Sequence, residues 1–129
     1  MGVKLDMIGL VVKDIDASLE FYRRLGMDVP TEYEGPYVET TLPGGIRISW
    51  NSVAMMKEID PHWVEPVGHR MGFAYLCDSA AEVDERYRSL VGNGYASHKE
   101  PWDAFWGQRY AQVLDPDGNI VDLFAPLEG

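Results

Sequence analysis

Cysteine, histidine and positive charge are all scarce in this chain of 129 residues. Cys77 is the single cysteine, so no disulfide can form within the chain. The three histidines, His62, His69 and His98, leave few imidazoles for metal binding. Lys and Arg number 11 against 21 Asp and Glu, a formal net charge of -10. The deficit is evenly spread: residues 1–65 hold 6 basic and 11 acidic groups, and residues 66–129 hold 5 and 10. With no basic stripe or arm, neither a nucleic-acid backbone nor an acidic membrane is a natural partner. The longest apolar run, Met7-Ile8-Gly9-Leu10-Val11-Val12, is far too short to span a bilayer. The opening residues carry no secretory pattern, which leaves the cytoplasm as the expected compartment.

What the chain does have is apolar and aromatic surface. Hydrophobic residues make up 46%, enough for a globular core in a single domain of this length. The aromatics, four Trp, seven Tyr and four Phe, far outnumber the His and Cys. The chain is rich in groups that stack and poor in groups that bind metals.

Two segments share one pattern. Met7-Ile8-Gly9-Leu10-Val11-Val12-Lys13-Asp14 is followed by an amphipathic stretch ending at Gly26. Met71-Gly72-Phe73-Ala74-Tyr75-Leu76-Cys77-Asp78 is followed by another, ending at Gly92 or Gly94. The pattern indicates an internal duplication. Ser18, Phe21, Tyr22 and Leu25 form a helical stripe in the first copy, and Ala80, Val83, Tyr87 and Leu90 form one in the second. Asp14 or Asp16 can cap the first helix, and Ser79-Ala80-Ala81-Glu82 reads as a capping box for the second. Strand-like pieces follow each helix: 28–33, 37–42 and 46–51, then 95–99, 108–114 and 120–124. Turn signals separate them, notably Pro43-Gly44-Gly45 and Pro116-Asp117-Gly118-Asn119. The expected fold is α+β. Two tandem β-α-β-β-β modules (1–51 and 69–129) are joined by a partly helical linker (52–68) that contains Pro61 and Pro66.

Three stretches carry a family resemblance. They are Asp14-Ile15-Asp16-Ala17-Ser18-Leu19-Glu20-Phe21-Tyr22-Arg23-Arg24-Leu25-Gly26, Trp106-Gly107-Gln108-Arg109-Tyr110-Ala111, and Asp115-Pro116-Asp117-Gly118-Asn119-Ile120-Val121-Asp122-Leu123. The chain resembles the vicinal-oxygen-chelate superfamily of glyoxalases, extradiol dioxygenases and bleomycin-resistance proteins. The resemblance implies curled mixed sheets around a ligand cleft, and a homodimer whose clefts are shared between chains. It also implies metal-ligand positions on the first and last strand of each module. Those positions fall on Met7, Ser49 or Trp50, Met71 and Asp122. Two thioethers among four positions do not suit a hard divalent cation, so no metal or other cofactor is expected. A shifted site using His69 with Asp122 falls short of a full ligand set.

The residues left to recognise a ligand are mostly flat or soft. By strand alternation Met7 and Gly9 share a face in the first copy. Met71, Phe73 and Tyr75 share the matching face in the second, together with Asp122 on the last strand. Trp50 and Asn51 end a strand, and Trp63 lies in the linker. Trp102, Phe105 and Trp106 crowd one loop, with Gln108 and Tyr110 just after it. Such rings suit stacking, and Asn51, Asp103, Gln108 and Arg109 suit orientation. Cys77, beside Asp78, reads as inert. The expectation is a metal-free protein that binds a small aromatic or cationic natural product. The alternative is a glyoxalase- or dioxygenase-like lyase or isomerase with a divergent metal site.

Overall fold

The computed structural model describes residues 2–127. The chain divides into two compact units, with the division between Pro66 and Val67.

The first unit opens with β1 (Met7–Val12), α1 (Ile15–Leu25), β2 (Tyr37–Thr41), β3 (Arg47–Ser52) and a short helix α2 (Val53–Ile59). The Asp14 carboxylate accepts the Ala17 N–H at 3.1 Å and so starts α1. Gly26 stops it at φ 120°, a conformation that glycine adopts without a Cβ penalty. The strands form a sheet in the order β1-β3-β2. The expected strand at 28–33 does not form. Pro30 has no N–H to give a ladder, and the segment is instead tied down by single bonds. The Arg23 guanidinium donates to the Pro30 carbonyl, and the Thr40 hydroxyl donates to the Asp28 carbonyl.

The second unit contains β4 (Gly72–Leu76), α3 (Ala80–Gly92), β5 (Ser97–Ala104), β6 (Gln108–Leu114) and β7 (Ile120–Pro126). Its sheet has the order β4-β7-β6-β5. Ser79 caps α3 by accepting the Glu82 N–H at 3.1 Å. The Asp115 carboxylate organises the β6–β7 turn, accepting from the Asp117 and Asn119 backbone N–H groups and the Asn119 side-chain amide at 2.8–2.9 Å. Gly118 takes φ 83° at the apex of that turn. Strand β5 runs through Pro101 and Trp102, a stretch that reads as loop in the sequence. Register shifts on either side of Lys99 absorb the proline, and β5 lies at the sheet edge, where a missing N–H is tolerated.

In each unit one sheet face is core. Leu10, Val12, Ile48 and Trp50 are buried in the first, and Ala111, Val113, Val121, Leu123 and Ala125 in the second. Val83, Tyr87 and Leu90 of α3 are buried as well. Among the described residues, no helix is long and apolar enough to cross a membrane.

Candidate ligand-binding face

The open face of the second sheet follows from its register. Leu76 pairs with Phe124, Phe124 with Tyr110, and Tyr110 with Trp102, so their side chains project to the same side. One step along, Ala74, Asp122, Gln112 and Lys99 form a parallel row. This is the side opposite the buried Val113, Val121 and Leu123.

The rings on this face touch one another. Trp102 meets Tyr110 at 5.5 Å and Trp106 at 6.1 Å between centroids, edge to face. Trp106 also meets Tyr110 at 5.3 Å and Phe105 at 5.1 Å, and Tyr110 stacks on Phe124 at 6.0 Å. Edge-to-face contacts favour aromatic pairs beyond simple burial, so the group is a preformed platform. Its outer members are open: Phe105 is 97% exposed and Trp106 48%. Trp106 donates its indole N–H to Gln108 Oε1 at 2.7 Å, which fixes the ring.

Polar groups stand in the same face. Asp122 accepts from the Tyr110 hydroxyl at 2.6 Å and from the Gln112 amide at 3.0 Å. The Lys99 ammonium sits 4.5 Å from the centre of the Trp102 ring. Burial, reinforced by the bond to Asp122, pushes the Tyr110 hydroxyl up to about 12. Tyr110 ordinarily ionises near 10, so the folded state holds its proton longer than the unfolded chain does. The stability this contributes is complete below about pH 10 and lost as pH rises towards 12. In an alkaline titration followed by tyrosinate absorbance, the difference between wild type and Tyr110→Phe is expected to ionise near 12, and the Asp122→Asn background to bring it down. A Tyr110 component near 10 in wild type contradicts the assignment.

The first unit presents a different face. Gly9 pairs with Ser49 and Val11 with Asn51, so Met7, Gly9, Ser49 and Asn51 lie together. Asn51 Nδ2 donates to Ser49 Oγ at 3.0 Å and to the Leu10 carbonyl at 3.1 Å. A Cβ on Gly9 would come within 3.2 Å of both side chains, so glycine leaves this polar pair open. Tyr37 bonds to Met7 Sδ and Glu39, and Arg47 bridges Glu39 and Asp6. The Arg47 guanidinium holds both carboxyls below their ordinary range. This network escaped the sequence reading, although Tyr37 and Glu39 alternate along one strand and Arg47 and Ser49 along the next.

Several sequence expectations need correction. Trp50 is fully buried, edge to face with Tyr22 at 5.9 Å, because it pairs with Leu10 and not with Gly9. It is a core residue with no ring face to offer a ligand, and Ser49 takes the last-strand position. Phe73 and Tyr75 pair with Val121 and Leu123, while Asp122 pairs with Ala74. A one-residue difference in register exchanges the faces, so Phe73 and Tyr75 lie on the side opposite Asp122. Tyr75 is half-buried there, and burial, with the Asp115 charge, raises its hydroxyl to about 12. Met71 precedes β4 and is 66% exposed. Arg109 also turns away from the rings, held by Asp84 at 2.9 and 3.1 Å and by Asp103 at 3.0 Å. Trp63 belongs to the first unit, with the Lys57 ammonium 5.9 Å from its ring centre.

The family's metal does not fit these residues. Met7 and Met71 supply thioethers, Ser49 is bonded to Asn51, and Asp122 is engaged by Tyr110 and Gln112. The His69 and His98 rings approach to 6.2 Å, a closeness that sequence spacing hides, but His69 is tied to the Gly118 carbonyl at 2.8 Å. Among the described residues, no three His, Cys, Asp or Glu converge as metal ligands. Burial first, then Glu82, pushes the Cys77 thiol up, which disfavours the nucleophilic thiolate.

Comparison with known proteins agrees with the fold. The chain is 28% identical over 129 residues to the uncharacterized protein YraH of Bacillus subtilis, covering 97% of this chain and all of that one. A crystal structure of a glyoxalase/bleomycin resistance protein/dioxygenase from Nocardioides is 26% identical with a TM-score of 0.76, covering 100% of this chain and 87% of that one. A glyoxalase/bleomycin resistance protein/dioxygenase family enzyme from Burkholderia phytofirmans superimposes with a TM-score of 0.83 at 20% identity, covering 97% and 100%. The family model of the glyoxalase/bleomycin resistance protein/dioxygenase superfamily matches residues 4–123. With that match over nearly its whole length, on a fold of two helix-and-sheet units, the chain belongs to the glyoxalase/bleomycin resistance protein/dioxygenase superfamily.

Proposed function

We propose that this protein is a metal-independent binding protein. It captures a planar aromatic or cationic small molecule on the open face of the β4-β7-β6-β5 sheet, with no bond made or broken. One observation carries the reading: Trp102, Phe105, Trp106, Tyr110 and Phe124 form a contiguous ring platform whose outer members are exposed. Exposed apolar patches rimmed by polar groups mark binding surfaces. Here Gln108, Gln112 and Asp122 supply that polarity. The donor set at the family's metal positions supports binding over metal-assisted chemistry. The fitting ligands are fused-ring or extended natural products, of the kind represented by bleomycin-like glycopeptides, mitomycins and anthraquinone- or enediyne-type compounds.

The test is a titration of intrinsic tryptophan fluorescence with such a panel, followed by recovery of the compound. The expected result is saturable quenching at one equivalent and a ligand returned unchanged. A product recovered in excess of the protein would instead make the chain a lyase, isomerase or dioxygenase.

A further inference from the structure

The ring face carries a carboxylate without a cation. Asp122 is half-buried, and both of its oxygens accept from neutral donors, the Tyr110 hydroxyl and the Gln112 amide. Among the described residues no Lys, Arg or His nitrogen makes an ion pair with it. Three carboxylates of the same unit do pair with arginine: Glu82 with Arg86, and Asp84 and Asp103 with Arg109. A charge on a partly desolvated apolar face is costly unless something compensates it.

The nearest candidate within the chain does not fill this role. Lys99 lies in the same register row as Gln112 and Asp122. Its ammonium nevertheless sits over the Trp102 ring, 4.5 Å from the centroid. The face therefore holds one negative charge with no ion-pair partner and one ring already occupied by a cation. Both are features a cationic guest would use, since ring faces attract positive charge and the carboxylate supplies the counter-charge. An anionic guest would meet Asp122 and a molecule of net charge -10.

Resting on the binding reading above, we infer that the ligand of this face is a planar organic cation, with Asp122 as its counter-ion and Lys99 as the internal cation it displaces from Trp102. The ligand ring stacks on the Trp102 face that Lys99 vacates, with Trp106 set edge-on to Trp102. Its positive nitrogen lies towards Asp122, whose orientation Tyr110 and Gln112 fix.

Two dyes of the same shape separate charge from stacking. 10-Methylacridinium carries a permanent positive charge, and acridine is neutral under mildly alkaline conditions. Both are titrated at low ionic strength into wild type, Asp122→Asn and Lys99→Met, by calorimetry or tryptophan quenching. Wild type is expected to bind methylacridinium about tenfold more tightly than acridine. Asp122→Asn is expected to erase most of that preference, weakening methylacridinium far more than acridine. Lys99→Met is expected to tighten methylacridinium binding by roughly threefold, since the competing ammonium is gone. Equal affinities in wild type, or a preference that survives in Asp122→Asn, overturn the inference and leave aromatic capture standing. Failure of both dyes to bind wild type overturns the inference and the binding reading together. If Asp122→Asn does not fold, the wild-type preference and the Lys99→Met response decide the matter.

Discussion

Replacing Phe21 with alanine is expected to remove about 3–5 kcal/mol of folding stability. Phe21 is fully buried and packs edge to face on Tyr22 at 4.9 Å, and Tyr22 in turn meets the buried Trp50. Truncation therefore removes a whole ring's buried area and leaves a cavity among side chains that cannot all collapse into it. For a chain of this size the melting temperature is expected to fall by about 10–20 °C. The ring contacts to Tyr22 and on to Trp50 belong to the first unit, and the β4-β7-β6-β5 sheet to the second. In the folded fraction, measured well below the new midpoint, ligand affinity is expected to stay within about twofold, since Phe21 belongs to the first unit and the ring face to the second. A small stability loss would mean that α1 is not anchored as described. A selective loss of binding would move the ligand to the first unit.

Much of this was legible in the residues. The repeated strand–Asp–helix–Gly pattern located β1, α1, β4 and α3, because strand alternation, helical stripe and cap all pointed to the same assignment. Asp14 and Ser79 cap as their types demand. The aromatic run at 102–106 is plain in the sequence, but the strand that carries part of it is not. Pro101 suggests a loop, whereas an edge strand accommodates it with register shifts that sequence alone does not place. The strand expected at 28–33 failed for the complementary reason. Its apolar content was adequate, but Pro30 withholds an N–H and no partner strand compensates.

Faces were harder to read than elements. Trp50 alternates with Ser49 and Asn51, and it shares its parity with Ile48, an apolar residue that is also buried. That alternation was available in the sequence, but the uncertain turn alignment before it left the parity open. The face of Phe73 and Tyr75 was not available at all. It depends on β4 meeting β7 with Ala74 opposite Asp122, a pairing between segments more than forty residues apart. A single-residue slip reverses it. The ion pairs of Arg47 and Arg109 are equally long-range or cross-strand, and so depend on tertiary structure.

The most direct measurement of the central claim is the affinity of Trp102→Ala for a planar aromatic ligand, set beside its melting temperature. Trp102 lies at the meeting point of Trp106, Tyr110 and the Lys99 ammonium, and it is only half-buried, so a guest that displaces Lys99 can reach its ring. Central tryptophans of binding surfaces commonly contribute about 2 kcal/mol or more, which corresponds to roughly 30-fold in affinity. On the edge strand of an open face, the same truncation is expected to cost much less stability than Phe21→Ala. The account predicts a dissociation constant raised at least about 30-fold with the melting temperature lowered by only a few degrees. Unchanged affinity together with a melting temperature lowered as far as in Phe21→Ala would make the ring platform part of the core and contradict the account.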